Sequence, residues 1–159
     1  MRTFLLYQRL SIKMNDLNDI SLSEIIKLVK SKKISSVELA NHFINNIKKG
    51  KKLNSFITTC FEQTIKDSKN FDKKQNFDGL LPGIPIAVKD LFCTKNIKTT
   101  AGSKILENFV PTYESTVTSN LWKEGAILLG KLNCDEFGMG SSNETSFFGN
   151  VINPLEKNL

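Results

Sequence analysis

The sequence predicts an α/β fold, because helical segments alternate with short apolar runs that are typical of buried strands. One run, IPIAV, covers residues 84–88, and a second, AILLGKLN, covers residues 126–133. Both runs have the length of a strand and little polar content, which indicates burial. Between them, Ser115 precedes a helical stretch that ends near Gly125, so the pattern is strand, helix, strand.

The first half of the chain predicts three helices and one short strand. Two capping boxes, Ser21-x-x-Glu24 and Ser35-x-x-Glu38, mark where the first two helices begin. The second of these helices is amphipathic and ends at Gly50. The segment SFITTC that follows is rich in β-forming side chains and predicts a strand, and FEQTIKDSKNFDKK predicts the third helix.

These elements divide the chain into three regions. Residues 1–13 are interpreted as a non-native extension or a misannotated start, with translation beginning at Met14, because ordinary helical sequence follows. The alternative is a transit peptide, since this stretch is basic and contains no acid. Residues 14–79 form a basic helical arm, and residues 80–159 begin an α/β core that stops in mid-architecture. We expect a bacterial cytoplasmic protein; a transit peptide would imply an organelle.

Charge and composition narrow the functional classes. Residues 1–80 hold 15 Lys and Arg against 8 Asp and Glu, a net charge of +7, and the rest of the chain is close to neutral. The lysines lack interleaved aromatic residues, which favours a solvated helical surface over a nucleic-acid-binding module. No apolar stretch approaches the length of a membrane helix, so no membrane association is expected. Three scattered cysteines and the single histidine, His42, predict no metal site.

Lys89 is the ionisable residue that points most directly to chemistry. It ends an apolar run and is followed by Asp90. An amine drawn out of water loses its proton more easily and becomes a better general base. The alternative is a surface ion pair between Lys89 and Asp90. A second segment, Gly138–Asn143, offers small side chains and free backbone groups that suit a pocket wall; the alternative is an ordinary turn-rich loop.

Three blocks of the sequence carry a family resemblance. They are LPGIPIAVKDLF, TTAGSKILENFVPTYESTV and EGAILLGKLNCDEFGMGSSNETSFFGNVINP. In order and spacing they resemble the first blocks of the amidase-signature family, and the likeness extends over residues 14–159. The segments KILENFVP and DEFGMGSSNETSFFG are most similar to the A subunits of tRNA-dependent amidotransferases. The resemblance implies the amidase-signature fold, a mixed central sheet flanked by helices, of which only the N-terminal part is present.

The resemblance also implies roles for three residues. Members of the family use a Ser–cis-Ser–Lys triad, and Lys89 takes the place of the triad lysine. Met139 and Ser141 fall where the family's loop lines the substrate pocket. The bridging serine belongs to a GGSSGGS block, and neither this block nor the nucleophile's block occurs in the 159 residues. Ser141 and Ser142 match the earlier pocket loop and do not take these roles. No metal-ligating residue is implied.

The implied reaction is release of ammonia from glutamine by a subunit that works with subunits B and C as a heterotrimer. The complex would use ATP and Mg²⁺ to convert misacylated Glu-tRNA(Gln) or Asp-tRNA(Asn), and no cofactor would bind this chain. Because the chain offers a base without a nucleophile, we expect the 159 residues alone to have no amidase activity. Two alternatives stay open: a truncated, non-catalytic fragment or pseudogene product, and part of a generic amide hydrolase.

Overall fold

The structure is a computed structural model that describes residues 17–155. The predicted extension at residues 1–13 and the alternative start at Met14 lie outside the described residues. Within the described range the helices and strands follow the predicted order. They are α1 (Leu22–Lys30), α2 (Ser36–Lys49), β1 (Phe56–Thr59), α3 (Phe61–Lys74), β2 (Pro85–Lys89), α4 (Thr116–Lys123) and β3 (Ile127–Leu132).

The three strands form one mixed sheet in the order β1–β3–β2. Strand β3 pairs antiparallel with β1 and parallel with β2, and helix α4 connects the two parallel strands. The carboxyl ends of β2 and β3 therefore lie at the same edge of the sheet, where Lys89 pairs with Leu132. Ligands of open α/β sheets bind in the crevice outside such carboxyl ends. The predicted α/β fold with a mixed sheet is confirmed.

Both predicted capping boxes are present. The Ser21 side chain accepts a hydrogen bond from the Glu24 amide, and the Glu24 carboxylate accepts one in return from the Ser21 amide at 2.9 Å. Ser35 and Glu38 make the same reciprocal pair. These bonds satisfy amides that a helix leaves without partners in its first turn. The sequence positions of helices α1 and α2 therefore follow from local chemistry.

The hydrophobic core joins the helices to the sheet. Its buried members come from α1, α2, the segments before them and the residue that precedes β2: Leu17, Ile25, Val29, Ile34, Leu39 and Ile84. The Ser36 hydroxyl reinforces this contact by donating to the carbonyl of Gly83 at 2.6 Å. The core thus crosses the predicted division at residues 79 and 80, and the division itself stays a prediction. Between residues 17 and 155 no helix has both the length and the apolar character needed to cross a bilayer.

Candidate active site

Lys89 lies at the carboxyl end of β2 with its side chain exposed, so within residues 17–155 the expected withdrawal of its amine from water is not found. Within residues 17–155 its amine makes no hydrogen bond and no salt bridge. The main chain around it is nevertheless fixed: Lys89 pairs with Leu132 of β3, and its carbonyl accepts a hydrogen bond from the Phe92 amide at 3.1 Å. A rigid backbone therefore presents an amine that a substrate or a neighbouring side chain can reach.

Asp90 turns away from Lys89 into the interior. Its side chain has no exposed surface, and its Oδ1 atom lies 3.3 Å from the Nζ atom of Lys131, which is equally buried. Its Oδ2 atom accepts hydrogen bonds from the Thr100 amide at 2.8 Å and the Thr100 hydroxyl at 2.5 Å. The alternative interpretation of Lys89 and Asp90 as a surface ion pair is therefore wrong, because Asp90 is already paired inside the fold.

Lys131 is the residue that the sequence interpretation missed. It lies in the central strand β3, where its ammonium donates to the Phe92 carbonyl and to the Thr99 hydroxyl, both at 2.8 Å. Burial lowers the pKa of Lys131, and the nearby Asp90 carboxylate opposes this effect. The signal was present in the sequence: a lysine in the middle of the apolar run ILLGKL requires a buried anion to accompany it.

Asp135 organises the Gly- and Ser-rich loop that follows β3. Its carboxylate accepts hydrogen bonds from the amides of Asn143 at 2.9 Å and Thr145 at 3.2 Å, and from the Thr145 hydroxyl at 2.9 Å. These backbone donors hold the pKa of Asp135 below its ordinary range. The segment is therefore an ordered loop folded around one carboxylate.

The loop presents Met139 and Ser141 at the same sheet edge as Lys89. Met139 is 81% exposed, and Ser141 is also exposed. The loop and the strand end are neighbours, since a Cβ atom on Gly138 would lie 3.2 Å from the Leu91 side chain, two residues beyond Lys89. The structure thus brings the three predicted site residues to one edge. Their roles as base and substrate-binding residues stay predictions.

Other candidate groups lie elsewhere. His42 is buried in α2, where its Nε2 atom lies 2.9 Å from Oδ1 of Asn18 and 3.1 Å from Nδ2 of Asn46. Cys60, Cys93 and Cys134 are free thiols. Across residues 17–155 no three His, Cys, Asp or Glu side chains are grouped so that they could hold a metal ion.

Comparison with known proteins places this geometry in a family. The sequence model of the Amidase family matches residues 38–159. The chain is 62% identical over 146 residues to the A subunit of glutamyl-tRNA(Gln) amidotransferase from Pelagibacter ubique, and the match covers 92% of this chain and 30% of that protein. It is 48% identical over 143 residues to the protein of the same name from Rickettsia bellii, covering 89% of this chain and 29% of the relative.

Solved structures show the same fold. The A subunit of glutamyl-tRNA(Gln) amidotransferase from Thermotoga maritima superimposes with a TM-score of 0.71 and 29% identity, over 89% of this chain and 29% of that one. A bacterial aryl acylamidase of the amidase-signature enzymes has a TM-score of 0.79 and 26% identity, over 87% of this chain and 30% of that one. The chain thus spans about 30% of the length of the curated relatives it matches. On the family match and the shared fold, the chain belongs to the amidase-signature family.

Proposed function

We propose that this chain forms the amino-terminal part of the glutamine-hydrolysing subunit of a tRNA-dependent amidotransferase. The observation that carries the proposal is the 62% identity over 92% of the chain to the A subunit of a glutamyl-tRNA(Gln) amidotransferase. The intact subunit would release ammonia from glutamine, and subunits B and C would complete the complex. That complex would use ATP and Mg²⁺ to amidate misacylated Glu-tRNA(Gln) or Asp-tRNA(Asn). No residue of this chain is proposed to bind either cofactor.

Lys89 would act as the base of the reaction. Its amine stands at a fixed strand end where a second side chain can reach it, which is the geometry that proton transfer requires. In the proposed triad it accepts the proton of a bridging serine, which in turn accepts that of the nucleophilic serine. The nucleophile attacks the carboxamide carbon of glutamine, the C–N bond breaks, and ammonia leaves with the returned proton. Water then hydrolyses the glutamyl ester, which releases glutamate and regenerates the serine. Both serines belong to sequence blocks that the 159 residues do not contain.

Met139 and Ser141 would line the pocket for glutamine. Both lie on the loop that Asp135 holds in place, next to the strand end that carries Lys89. A short polar side chain and an adaptable thioether suit a small amide substrate that must be oriented toward a nucleophile. This assignment depends on the position of the loop as well as on the resemblance.

A hybrid protein tests the proposal. The 146 matched residues of this chain replace their counterparts in the Pelagibacter ubique relative, and the hybrid is produced with subunits B and C of that organism. We expect glutamine-dependent ammonia release, and a loss of about 10²- to 10⁴-fold in kcat for Lys89→Met, the range typical of a general base. Lys95→Met is the matched control, because Lys95 is an exposed lysine outside the site.

Two results would count against the proposal. A folded hybrid that does not hydrolyse glutamine, or a Lys89→Met hybrid that keeps its activity, would overturn it. Hydrolysis of an aryl acylamide in place of glutamine would favour the alternative of a generic amide hydrolase. That alternative is supported by the similarity of the fold to that of the aryl acylamidase. The 159-residue polypeptide alone is expected to release no ammonia, since it provides no nucleophile.

A further inference from the structure

A buried ion pair lies directly beneath the candidate site. The side chains of Lys131 and Asp90 have no exposed surface, and their charged atoms lie 3.3 Å apart. Taking two charges out of water is costly, and an apolar pair of similar volume is often as stable or more so. Stability alone is therefore a weak explanation for this pair. The geometry that the pair imposes on the surrounding residues explains it better.

Lys131 is unsuited to be the base itself. Its ammonium donates to the Phe92 carbonyl and the Thr99 hydroxyl and faces the Asp90 carboxylate, so its protons are already engaged with acceptors inside the fold. A base needs a free lone pair within reach of the proton that it accepts. Of these two lysines, Lys89 has an amine that a second side chain can reach, whereas that of Lys131 is enclosed.

The ion pair fixes the residue that follows Lys89. The Asp90 main chain donates to the Leu132 carbonyl at 2.9 Å and accepts from the Ala101 amide at 3.0 Å. The Asp90 carboxylate accepts hydrogen bonds from the amide and the hydroxyl of Thr100. The Lys131 ammonium compensates the negative charge that remains on this carboxylate. Lys131 thereby ties strand β3 to the turn after β2 and to the segment around residue 100.

That segment in turn supports the loop of Met139 and Ser141. The Ala101 carbonyl accepts from the Phe137 amide at 2.7 Å, and the Gly102 carbonyl accepts from the Phe147 amide at 2.8 Å. The contact is close, since a Cβ atom on Gly102 would lie 2.5 Å from the Cys134 carbonyl oxygen. The ion pair, the Asp90 hydrogen bonds and the main chain of residues 100–102 thus connect Lys131 to both ends of the loop.

We propose that Lys131 is a positioning residue, whose ion pair with Asp90 holds Lys89 and the loop of residues 137–147 in one fixed arrangement. The inference rests on the proposed function of Lys89 as the base. It predicts that neutralising Lys131 displaces two parts of the site at once. A displacement of about 1 Å can lower a rate by up to about 10²-fold, even when the altered residue does not touch the substrate.

The test compares Lys131→Met with the double variant Asp90→Asn/Lys131→Met in the hybrid enzyme. The single variant leaves a buried carboxylate without its counter-charge, so we expect a lower urea midpoint and a kcat lower by at least about tenfold. In the double variant neither side chain is charged, and the carbonyl of the introduced amide can still accept from Thr100. We expect its urea midpoint to return close to that of the unaltered hybrid while kcat stays at least about tenfold lower.

The two readouts separate positioning from stability. A double variant that recovers both the urea midpoint and kcat would show that Lys131 only balances a charge, and would overturn the proposal. An unchanged kcat in Lys131→Met would overturn it as well. Lys95→Met, which removes an exposed lysine from the same connecting segment, is the control and should leave both quantities unchanged.

Amide hydrogen exchange in the 159-residue chain provides a readout that does not depend on activity. Lys131→Met should speed exchange at Ala101, Phe137 and Phe147 by at least about tenfold relative to the unaltered chain. If the unaltered hybrid is inactive, the proposed function fails and this measurement alone decides the positioning role. Faster exchange at all three amides then supports it, and unchanged exchange at Phe137 and Phe147 overturns it.

Discussion

A Cβ atom on Gly140 would lie 2.4 Å from the carboxyl carbon of Asp135. The close approach exists because the loop of residues 140–145 wraps around this carboxylate, which accepts hydrogen bonds from Asn143 and Thr145. Glycine is required at position 140 for the space that it leaves, since any side chain would collide with the group that holds the loop together.

Gly140→Ala should therefore loosen the loop without unfolding the chain. The added methyl group forces Asp135 away from its donors, so the amides of Asn143 and Thr145 should exchange at least about tenfold faster. The measurement is amide hydrogen exchange followed by NMR. Ser141→Ala, which removes a hydroxyl from an exposed neighbouring position, is the control. Equal protection of both amides in Gly140→Ala and the unaltered chain would contradict the packing argument.

Acid should release the same loop. The pKa of Asp135 is held low in the folded chain, chiefly by the Asn143 and Thr145 amides, so the ionised carboxylate stabilises the loop. This stabilisation is complete above the ordinary aspartate pKa of about 3.9 and is lost as the pH falls through the lower folded value. The Thr145 amide resonance should follow this titration. In Asp135→Asn the titration should be absent, and a persisting transition would assign it to another group.

Local chemistry explains which parts of this fold were predictable. The capping boxes of Ser21 and Ser35 determine where α1 and α2 begin, and each lies within four consecutive residues. The apolar runs likewise predicted the ends of β2 and β3 to within one residue. In these cases the signal and the structure that it specifies occupy the same short stretch of chain.

The site was less predictable because its contacts join distant segments. The position of Lys89 at the end of an apolar run identifies it as a candidate. The partner of the next residue, Asp90, is Lys131 on another strand, and no local pattern indicates this pair. Only the parallel register of β2 and β3 brings these two side chains together. The loop around Asp135 has the same character, since its order depends on a carboxylate meeting amides eight to ten positions later.

His42 should make the stability of the helical region depend on pH near neutrality. Burial, with a smaller contribution from Lys49, lowers the pKa of His42 below its unfolded value of about 6.5, so the folded chain prefers the neutral ring. The free energy of unfolding should therefore be highest above pH 6.5 and fall as the pH drops through the folded pKa. Urea unfolding followed by fluorescence of Trp122, the single tryptophan, measures this.

The control for this prediction is His42→Gln, which keeps a side chain able to hydrogen-bond with Asn18 and Asn46. In this variant the urea midpoint should be constant from just above pH 6.5 down to the onset of carboxylate titration. A decline equal to that of the unaltered chain would exclude His42 as its origin, because the sequence contains no other histidine.

Asp72 provides the last prediction, since it caps a helix other than its own. It lies on α3, yet its two carboxylate oxygens accept from the amides of Ser36 at 2.9 Å and Val37 at 3.1 Å, in the first turn of α2. Those amides have no partners within the helix, and a negative charge near a helix amino terminus is favourable.

Asp72→Ala should lower the free energy of unfolding by about 1–2 kcal/mol, the range of a lost helix cap. Asp67→Ala is the matched control on the same helix. Among residues 17–155 the Asp67 carboxylate accepts hydrogen bonds from the Gln63 side chain alone, so its loss should change stability by no more than about 0.5 kcal/mol. Both values come from urea unfolding followed by Trp122 fluorescence, and equal losses in the two variants would mean that Asp72 contributes only through α3 itself.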